Sequence, residues 1–471
     1  MRCKMKRSFD LPVQIRELEL KNFKNVNKGK IVFIKNKIKE EYENVIGLYG
    51  QNGSGKTTFV NALDLLKSYI ANEVVVLPFV NRIPEFFDYF SLNNNKSEIH
   101  VKFDMLIKNK PLNIEYDLIF MCDQINKKYI LHTEKVSFDI DGEKEYIKYQ
   151  SKHGHSFSDN YSTYKDVINA SLKVAEGLTK QTTQSAIFND FLIEEMSKKF
   201  SNSLLLDILA TLRFFAKFNM FVITNKQFGM INLQWNIPFT FRYSKNKEIT
   251  NNEDKKIKQE ELTSGSQVID LRQPQQVTIS FYENLMSMLD NINEVLNRLI
   301  PNTKVEVVAN DCVLSTGQNG KSIELVTNRN NIRIPMRNES TGILKIISII
   351  QTLIAYCTFD DIFVAIDELD AGIFEYLLGS LLELLSKEGK GQLFFSSHNL
   401  RPLEILNKNC IYFSTTNENN RYIKLSNVKS NHNLRDFYYR TIILGGQKEQ
   451  IYNEDDMAGL QIVLRKLSRF E

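Results

Sequence analysis

The stretch from Val45 to Ala71 constrains this chain more than any other. VIGLY reads as an apolar strand, Gly50-Gln-Asn-Gly-Ser-Gly-Lys56-Thr57 follows without a linker, and residues 57–71 carry apolar side chains at helical spacing. A strand that turns through glycines into a helix presents free backbone N–H groups at the helix start, where an anion is stabilised by them and by the helix dipole. The run fits GxxxxGK[ST] in full and sits in the strand-loop-helix context that this pattern demands. It predicts a phosphate cradle built from Gly50, Asn52, Gly53, Ser54, Gly55, Lys56, Thr57 and Thr58. Lys56 is expected to neutralise β- and γ-oxygens and the Thr57 hydroxyl to ligate Mg²⁺, which makes ATP with Mg²⁺ the expected ligand. A Gly-rich turn before an amphipathic helix is the plain alternative, and carboxylates far downstream argue against it.

Those carboxylates end the run Asp361-Ile-Phe-Val-Ala-Ile-Asp367-Glu368, whose continuous apolar character is that of a buried parallel strand. Ligands of such sheets gather at the carboxyl ends of the strands, the edge from which the Gly-rich loop also emerges. Asp367 is thereby expected in the Mg²⁺ shell and Glu368 beside the attacking water. Alone, Asp-Glu after a strand is an ordinary surface turn. After Leu369-Asp370-Ala-Gly372 comes the helical stretch IFEYLLGSLLELLSKE, and then Gln392-Leu-Phe-Phe-Ser-Ser-His398-Asn399. The strand LFFSS is expected beside the one ending at Asp367, which makes His398 a γ-phosphate sensor, against the alternative of a structural histidine. Asn338-Glu339-Ser340-Thr341-Gly342 precedes a helix expected over 343–356. Ser340 and Gly342 there offer a hydroxyl and free amides to an anion, and Ser340 reads equally well as a helix cap.

With 42% hydrophobic and 25% charged residues, the 471-residue chain has the composition of a folded protein. Lys and Arg outnumber Asp and Glu by only 60 to 56, so no overall field steers it towards nucleic acid or an anionic membrane. Its scattered cysteines lack metal-site spacing and predict reduced thiols in a cytoplasmic protein. The apolar run 346–357 is too short and too interrupted to span a bilayer, so no membrane partner is expected. Residues 13–34 read as two strands joined by a turn over KNFKNVNKG, and 98–149 as an antiparallel sheet. Helices are expected over 151–217 and 279–299, and strands at KVEVVA, SIELVT and NIRIPM. The polar segment 244–267 reads as a solvated loop or flexible tip, against a functional basic patch. Glu454, Asp455 and Asp456 read as a helix start, and Asp139, Asp141 and Glu143 as a hairpin turn, rather than as metal ligands. The expected division is 1–150, 151–300 as a mainly helical insertion, and 301–471.

The order of GQNGSGKTT, NESTG, FVAIDELDAG and FFSSHN resembles the Walker A, signature, Walker B with D-loop, and H-loop of ABC-type ATPases. The closer likeness is to the stand-alone heads of the SMC/RecF/OLD-like group, over about 13–150 and 300–425. The resemblance implies an α/β P-loop ATPase head, with a mixed-sheet lobe, an antiparallel sheet and a helical and strand insertion. It implies a composite site in which Lys56, Thr57, Asp367, Glu368 and His398 of one head face Ser340 and Gly342 of another. The chain is then an ATPase working as a dimer or higher homo-oligomer. NESTG departs from the fuller LSGGQ-like signature, which leaves Glu339 and Thr341 without an assigned role, and Gln124 is the candidate for a Q-loop glutamine. By the same resemblance the chain is expected to be the sensor or motor of a bacterial anti-phage defence system, acting with a separate effector such as a nuclease, with nucleic acid open as a partner. A RecF-like DNA-repair ATPase is the alternative. An ABC transporter subunit is disfavoured by the N-terminal pair VQIRELELKNFKNV.

Overall fold

The structure is a computed structural model, and it describes residues 13–33, 44–72, 76–77, 80–81, 96–107, 110–123, 128–182, 184–200, 203–224, 229–232, 268–426, 433–444, 447–452 and 457–467. Gln124, the segment 244–267 and Glu454, Asp455 and Asp456 lie outside the described residues.

Strand β1 (Val13–Phe23) pairs antiparallel with β2 (Val26–Val32). The long turn expected over KNFKNVNKG does not form. Phe23 pairs with Val26 across Lys24-Asn25, with Lys24 at φ +52, the left-handed geometry of a tight hairpin. Phe23 and Val26 are both fully buried, and burying them outweighs the loop-like composition around them.

After β3 (Val45–Tyr49) and helix α1 (Lys56–Ala71), the chain makes β4 (Lys96–Ile107), β5 (Lys110–Asp123), β6 (Lys128–Ile140), β7 (Glu143–Gln150) and β8 (Gly154–Phe157). With β1 and β2 these form a 7-stranded antiparallel sheet in the order β8-β7-β6-β5-β4-β1-β2. The hairpin expected at SFDIDGEKE turns at Asp141 (φ +49) and Gly142 (φ +91). Helices α2 (Asn169–Thr182), α3 (Asp190–Lys199) and α4 (Leu204–Phe214) cover the sheet through Leu172, Leu192, Met196 and Leu205.

The chain then enters β9 (Met220–Ile223). Strands β10 (Gln275–Thr278), β11 (Thr303–Val313), β12 (Asn319–Arg329) and β13 (Ile332–Pro335) form a separate 4-stranded sheet, against which α5 (Ile279–Leu299) packs. Next come α6 (Thr341–Thr358), β14 (Phe363–Ile366), α7 (Glu375–Glu388), β15 (Gln392–Ser396), β16 (Ile411–Ser414) and β17 (Tyr422–Ile423).

The central sheet has 6 strands in the order β9-β14-β15-β3-β16-β17, parallel throughout except for β17. Its short strands are buried on both faces, and their alternating side chains divide between two cores. Ile46, Leu48, Phe363, Ala365 and Phe394 join the core shared with α1 and the antiparallel sheet. Val45, Tyr49, Val364, Ile366, Leu393 and Phe395 join the core shared with α5, α6 and α7. A period of two explains how one unbroken apolar run serves two layers. Strand β9 lies within the stretch expected as an insertion, yet it pairs directly with β14, and Asn219 Nδ2 donates to Asp361 Oδ2 at 2.8 Å beside it. The buried Gln392 side chain exchanges hydrogen bonds of 2.8 and 2.9 Å with the Ile15 backbone, joining the central and antiparallel sheets. Among the described residues one helix, Thr341–Thr358, is apolar and long enough to cross a membrane by composition, and 72% of it is buried inside the protein.

Candidate active site

The phosphate loop is shaped by glycines and braced from both ends of the chain. Gly50 leaves β3 at φ +150, and a Cβ there would lie 1.9 Å from Ser414 Oγ, so no larger residue fits between β3 and β16. Gly53 (φ +76) and Gly55 (φ +94) supply left-handed turns, from which a nest of N–H groups is built. Asn25 Nδ2 donates to the Gly53 carbonyl at 2.6 Å, and its Oδ1 accepts from the Thr58 hydroxyl at 2.7 Å. The buried Tyr422 hydroxyl donates to the Gly55 carbonyl at 2.7 Å. Ser54 bonds to Ser414 and donates to the Gln51 carbonyl at 2.6 Å. Asn52, Gly53 and Thr57 are exposed, whereas Lys56 is buried. The Lys56 ammonium donates to the Gly50 and Gln51 carbonyls at 2.8 and 2.9 Å. Burial pulls its pKa down to about 8, against the upward pull of Asp367, Glu368 and Asp370.

Strand β14 delivers Asp367 fully buried at its carboxyl end. One oxygen, Oδ1, accepts from the Ser396 hydroxyl at 2.5 Å. The other, Oδ2, is buried with no donor in hydrogen-bonding geometry, although the Thr57 hydroxyl comes near enough to favour the ionised form. Burial is the larger influence and raises the Asp367 pKa. A buried carboxylate oxygen left open is costly unless a cation meets it, so Asp367 Oδ2 with the Thr57 hydroxyl fits a hard divalent ion.

Glu368 follows at φ +45, the left-handed region that glycine prefers. Its N–H donates to Ser396 Oγ at 2.8 Å, and its carbonyl accepts from the Lys345 ammonium. Ser396 therefore fixes both carboxylate residues at once. Asp370 Oδ2 accepts from the N–H groups of His398 and Asn399 at 3.1 and 2.9 Å, so the turn after β14 sets the turn after β15. Burial lowers the His398 pKa and the Lys56 charge lowers it further, while Asp370, Glu368 and Asp367 pull it up. Lys56, Asp367, Glu368, Asp370 and His398 thus share one electrostatic neighbourhood.

Ser340 caps α6, its hydroxyl accepting from the Ile343 N–H at 3.3 Å, and the helix begins at Thr341, before the expected 343. Ser340 is exposed. Gly342 lies against the Asp370–Gly372 turn so tightly that a Cβ on it would come 2.0 Å from the Gly372 carbonyl oxygen. Glu339 bonds to the Thr327 hydroxyl and pairs with Arg329 at 3.2 Å, which ties this segment to β12. Nothing near Asn25, Ser414 and Tyr422 in the chain marks them, and Ser396 lies in FFSSHN, where the sequence points to His398 and not to the serine. Lys345 carries one faint signal, a cation within ILKIISII, which apart from it and Ser348 is apolar.

Similar folds occur among solved structures. The Smc head domain with an extended coiled coil, bound to the C-terminal domain of ScpA and derived from Pyrococcus furiosus, is 15% identical. It aligns over 88% of this chain and 96% of its own, with a TM-score of 0.40. The SMC head domain of Thermotoga maritima is 12% identical over 88% and 99% of the two chains, with a TM-score of 0.35. No curated protein matches the sequence. A family model described as AAA ATPase domain matches residues 14–401, a span that runs from β1 past His398 and takes in the phosphate loop, Ser340, Gly342, Asp367 and Glu368. The chain belongs to this AAA ATPase domain family and is an ATPase.

Proposed function

We propose that this chain hydrolyses ATP at a composite site completed by a second copy, and that it serves as the regulatory ATPase of a bacterial anti-phage system with a separate effector. The composite reading rests on where the signature segment packs. Asn25, Ser414 and Tyr422 brace the phosphate loop, whereas Ser340 and Thr341 are exposed beside Gly342, which is buried on the Asp370–Gly372 turn. A helix start offered to solvent there suits a phosphate carried by another chain. The defence role and its cytoplasmic setting rest on the resemblance of the motifs to SMC/RecF/OLD-like heads.

In this mechanism the loop amides and Lys56 bind the triphosphate, and Lys56 exchanges the Gly50 and Gln51 carbonyls for phosphate oxygens. Thr57 and Asp367 would hold Mg²⁺, which when bound neutralises charge on the β- and γ-phosphates. Glu368 orients a water and accepts its proton as the water oxygen bonds to the γ-phosphorus and ADP leaves. His398 contacts the γ-phosphate from the turn that Asp370 holds. The opposite chain's Ser340 and Gly342 close the site with a hydroxyl and backbone amides.

Replacing Glu368 by Gln should leave nucleotide binding intact and slow hydrolysis, so the closed pair accumulates. Light scattering with and without ATP reads that association directly. Adding Ser340→Arg should abolish the pair while the isolated chain keeps its ATP affinity. Loss of affinity in that monomer, or undiminished association, overturns the composite site.

A further inference from the structure

Helix α6 carries one cation in its buried interior. Lys345 lies a turn beyond Ser340 and is 1% exposed. Its ammonium donates to the carbonyl of Glu368 and, at 3.3 Å, to that of Ala371. It thereby spans the turn that contains Asp370 and runs up to Gly372, the residue on which Gly342 packs. Glu368 stands at φ +45, and a non-glycine residue held there persists only where its surroundings over-determine it. Three groups do so: Ser396 Oγ accepts from its N–H at 2.8 Å, and its carbonyl accepts from the Ala371 N–H at 2.9 Å and from the Lys345 ammonium. Ser396 belongs to the central sheet, whereas Lys345 belongs to the helix that presents Ser340.

We propose that Lys345 is the positioning residue for Glu368, and that it makes the carboxylate's placement depend on the seating of α6. The inference rests on the composite-site reading above. In that arrangement the helix start of one chain docks on the γ-phosphate held by the other. Any shift of α6 on docking moves Lys345, and Lys345 moves the Glu368 peptide of its own chain. Each chain's base is then better seated when its own signature segment has found a phosphate, so occupation of one site speeds hydrolysis at the other. The energetics suit such a link. Burial brings the Lys345 pKa down to about 8, with Asp370, Glu368 and Asp367 opposing, and an ammonium so placed is retained only where its hydrogen bonds are met. The Gly342–Gly372 contact has no room for a Cβ, so the helix start sits directly on the turn.

The test uses the full-length chain and separates base positioning from nucleotide binding. Lys345→Met keeps the length of the side chain and removes its donors. It is expected to lower kcat by about 100-fold, the scale of an ångström misplacement of a catalytic group, with KM for ATP unchanged. Lys345→Arg, which restores cationic donors, should recover at least about tenfold of that loss. In a Glu368→Gln background Lys345→Met should slow hydrolysis no further, because both act through one carboxylate. A Met variant that hydrolyses ATP at the parental rate overturns the proposal. So does a loss that is additive with Glu368→Gln, a rise in KM without a fall in kcat, or an Arg variant no better than Met. Parental hydrolysis by Glu368→Gln alone overturns the assignment of the base itself, and this inference with it.

Discussion

Among the described residues two carboxylates are fully buried, Asp367 at the end of β14 and Glu134 in β6, and burial raises the pKa of both. Their surroundings differ in one respect. Around Glu134 the donors close completely: Oε1 accepts from the hydroxyls of Tyr116 and Ser185 at 2.7 and 2.6 Å, and Oε2 from the N–H groups of Ala186 and Ile187 at 2.7 and 3.1 Å. The carboxylate staples the approach to α3 onto the antiparallel sheet, and it has nothing left to offer a ligand. Asp367 receives one hydroxyl on Oδ1 and keeps Oδ2 open, beside the exposed Thr57 and at the sheet edge from which the phosphate loop emerges. A buried acid is structural where donors surround it and functional where one acceptor is left facing a ligand's path.

The comparison makes opposite demands on the two sites. Asp367→Asn should cut ATP hydrolysis by about 10³-fold or more, since the open oxygen becomes an amide that repels a cation. Its thermal midpoint should stay where it is or rise, because an uncompensated buried charge is removed. Glu134→Leu should instead lower the unfolding free energy by roughly 3–5 kcal/mol, leaving two hydroxyls and two backbone N–H groups without an acceptor. Urea unfolding measures that loss, and hydrolysis per folded molecule should be unaffected. If Asp367→Asn unfolds the protein as Glu134→Leu does, the open oxygen does not distinguish the two.

The same contrast explains how much was legible in the sequence. Residues whose role is set by their immediate neighbours in the chain could be read. GQNGSGKT carries its strand and helix with it, the run ending in Asp367 declares a doubly buried strand, and Asp141-Gly142 declares a hairpin. Ser340 was read as a cap and found as one. Residues whose role is set across the fold could not be read. Ser396 acquires its place only when β15 pairs with β14. Asn25 and Tyr422 reach the phosphate loop from opposite ends of the chain. The KNFKNVNKG turn failed for the same reason, since its Asn and Lys content speaks for loop while the burial of Phe23 and Val26 is decided by the antiparallel sheet behind them. Strand β9 is too short, and too far from the motifs, for its pattern to reveal that it borders β14.

That each nucleotide site is shared by two chains is tested most directly by mixing two inactive variants. Lys56→Ala has no working phosphate loop but an intact signature segment, and Ser340→Arg has the reverse, so each alone should hydrolyse almost no ATP. A mixed pair contains one intact site, formed by the phosphate loop of the Ser340→Arg chain and the Ser340 of the Lys56→Ala chain. A mixed pair has one working site of two, so mixing the purified variants should restore hydrolysis that neither shows alone, to no more than about half of the wild-type rate, and to less as Ser340→Arg weakens pairing and leaves Glu368 of its own chain less well seated. A mixture as inactive as its components would contradict the composite site.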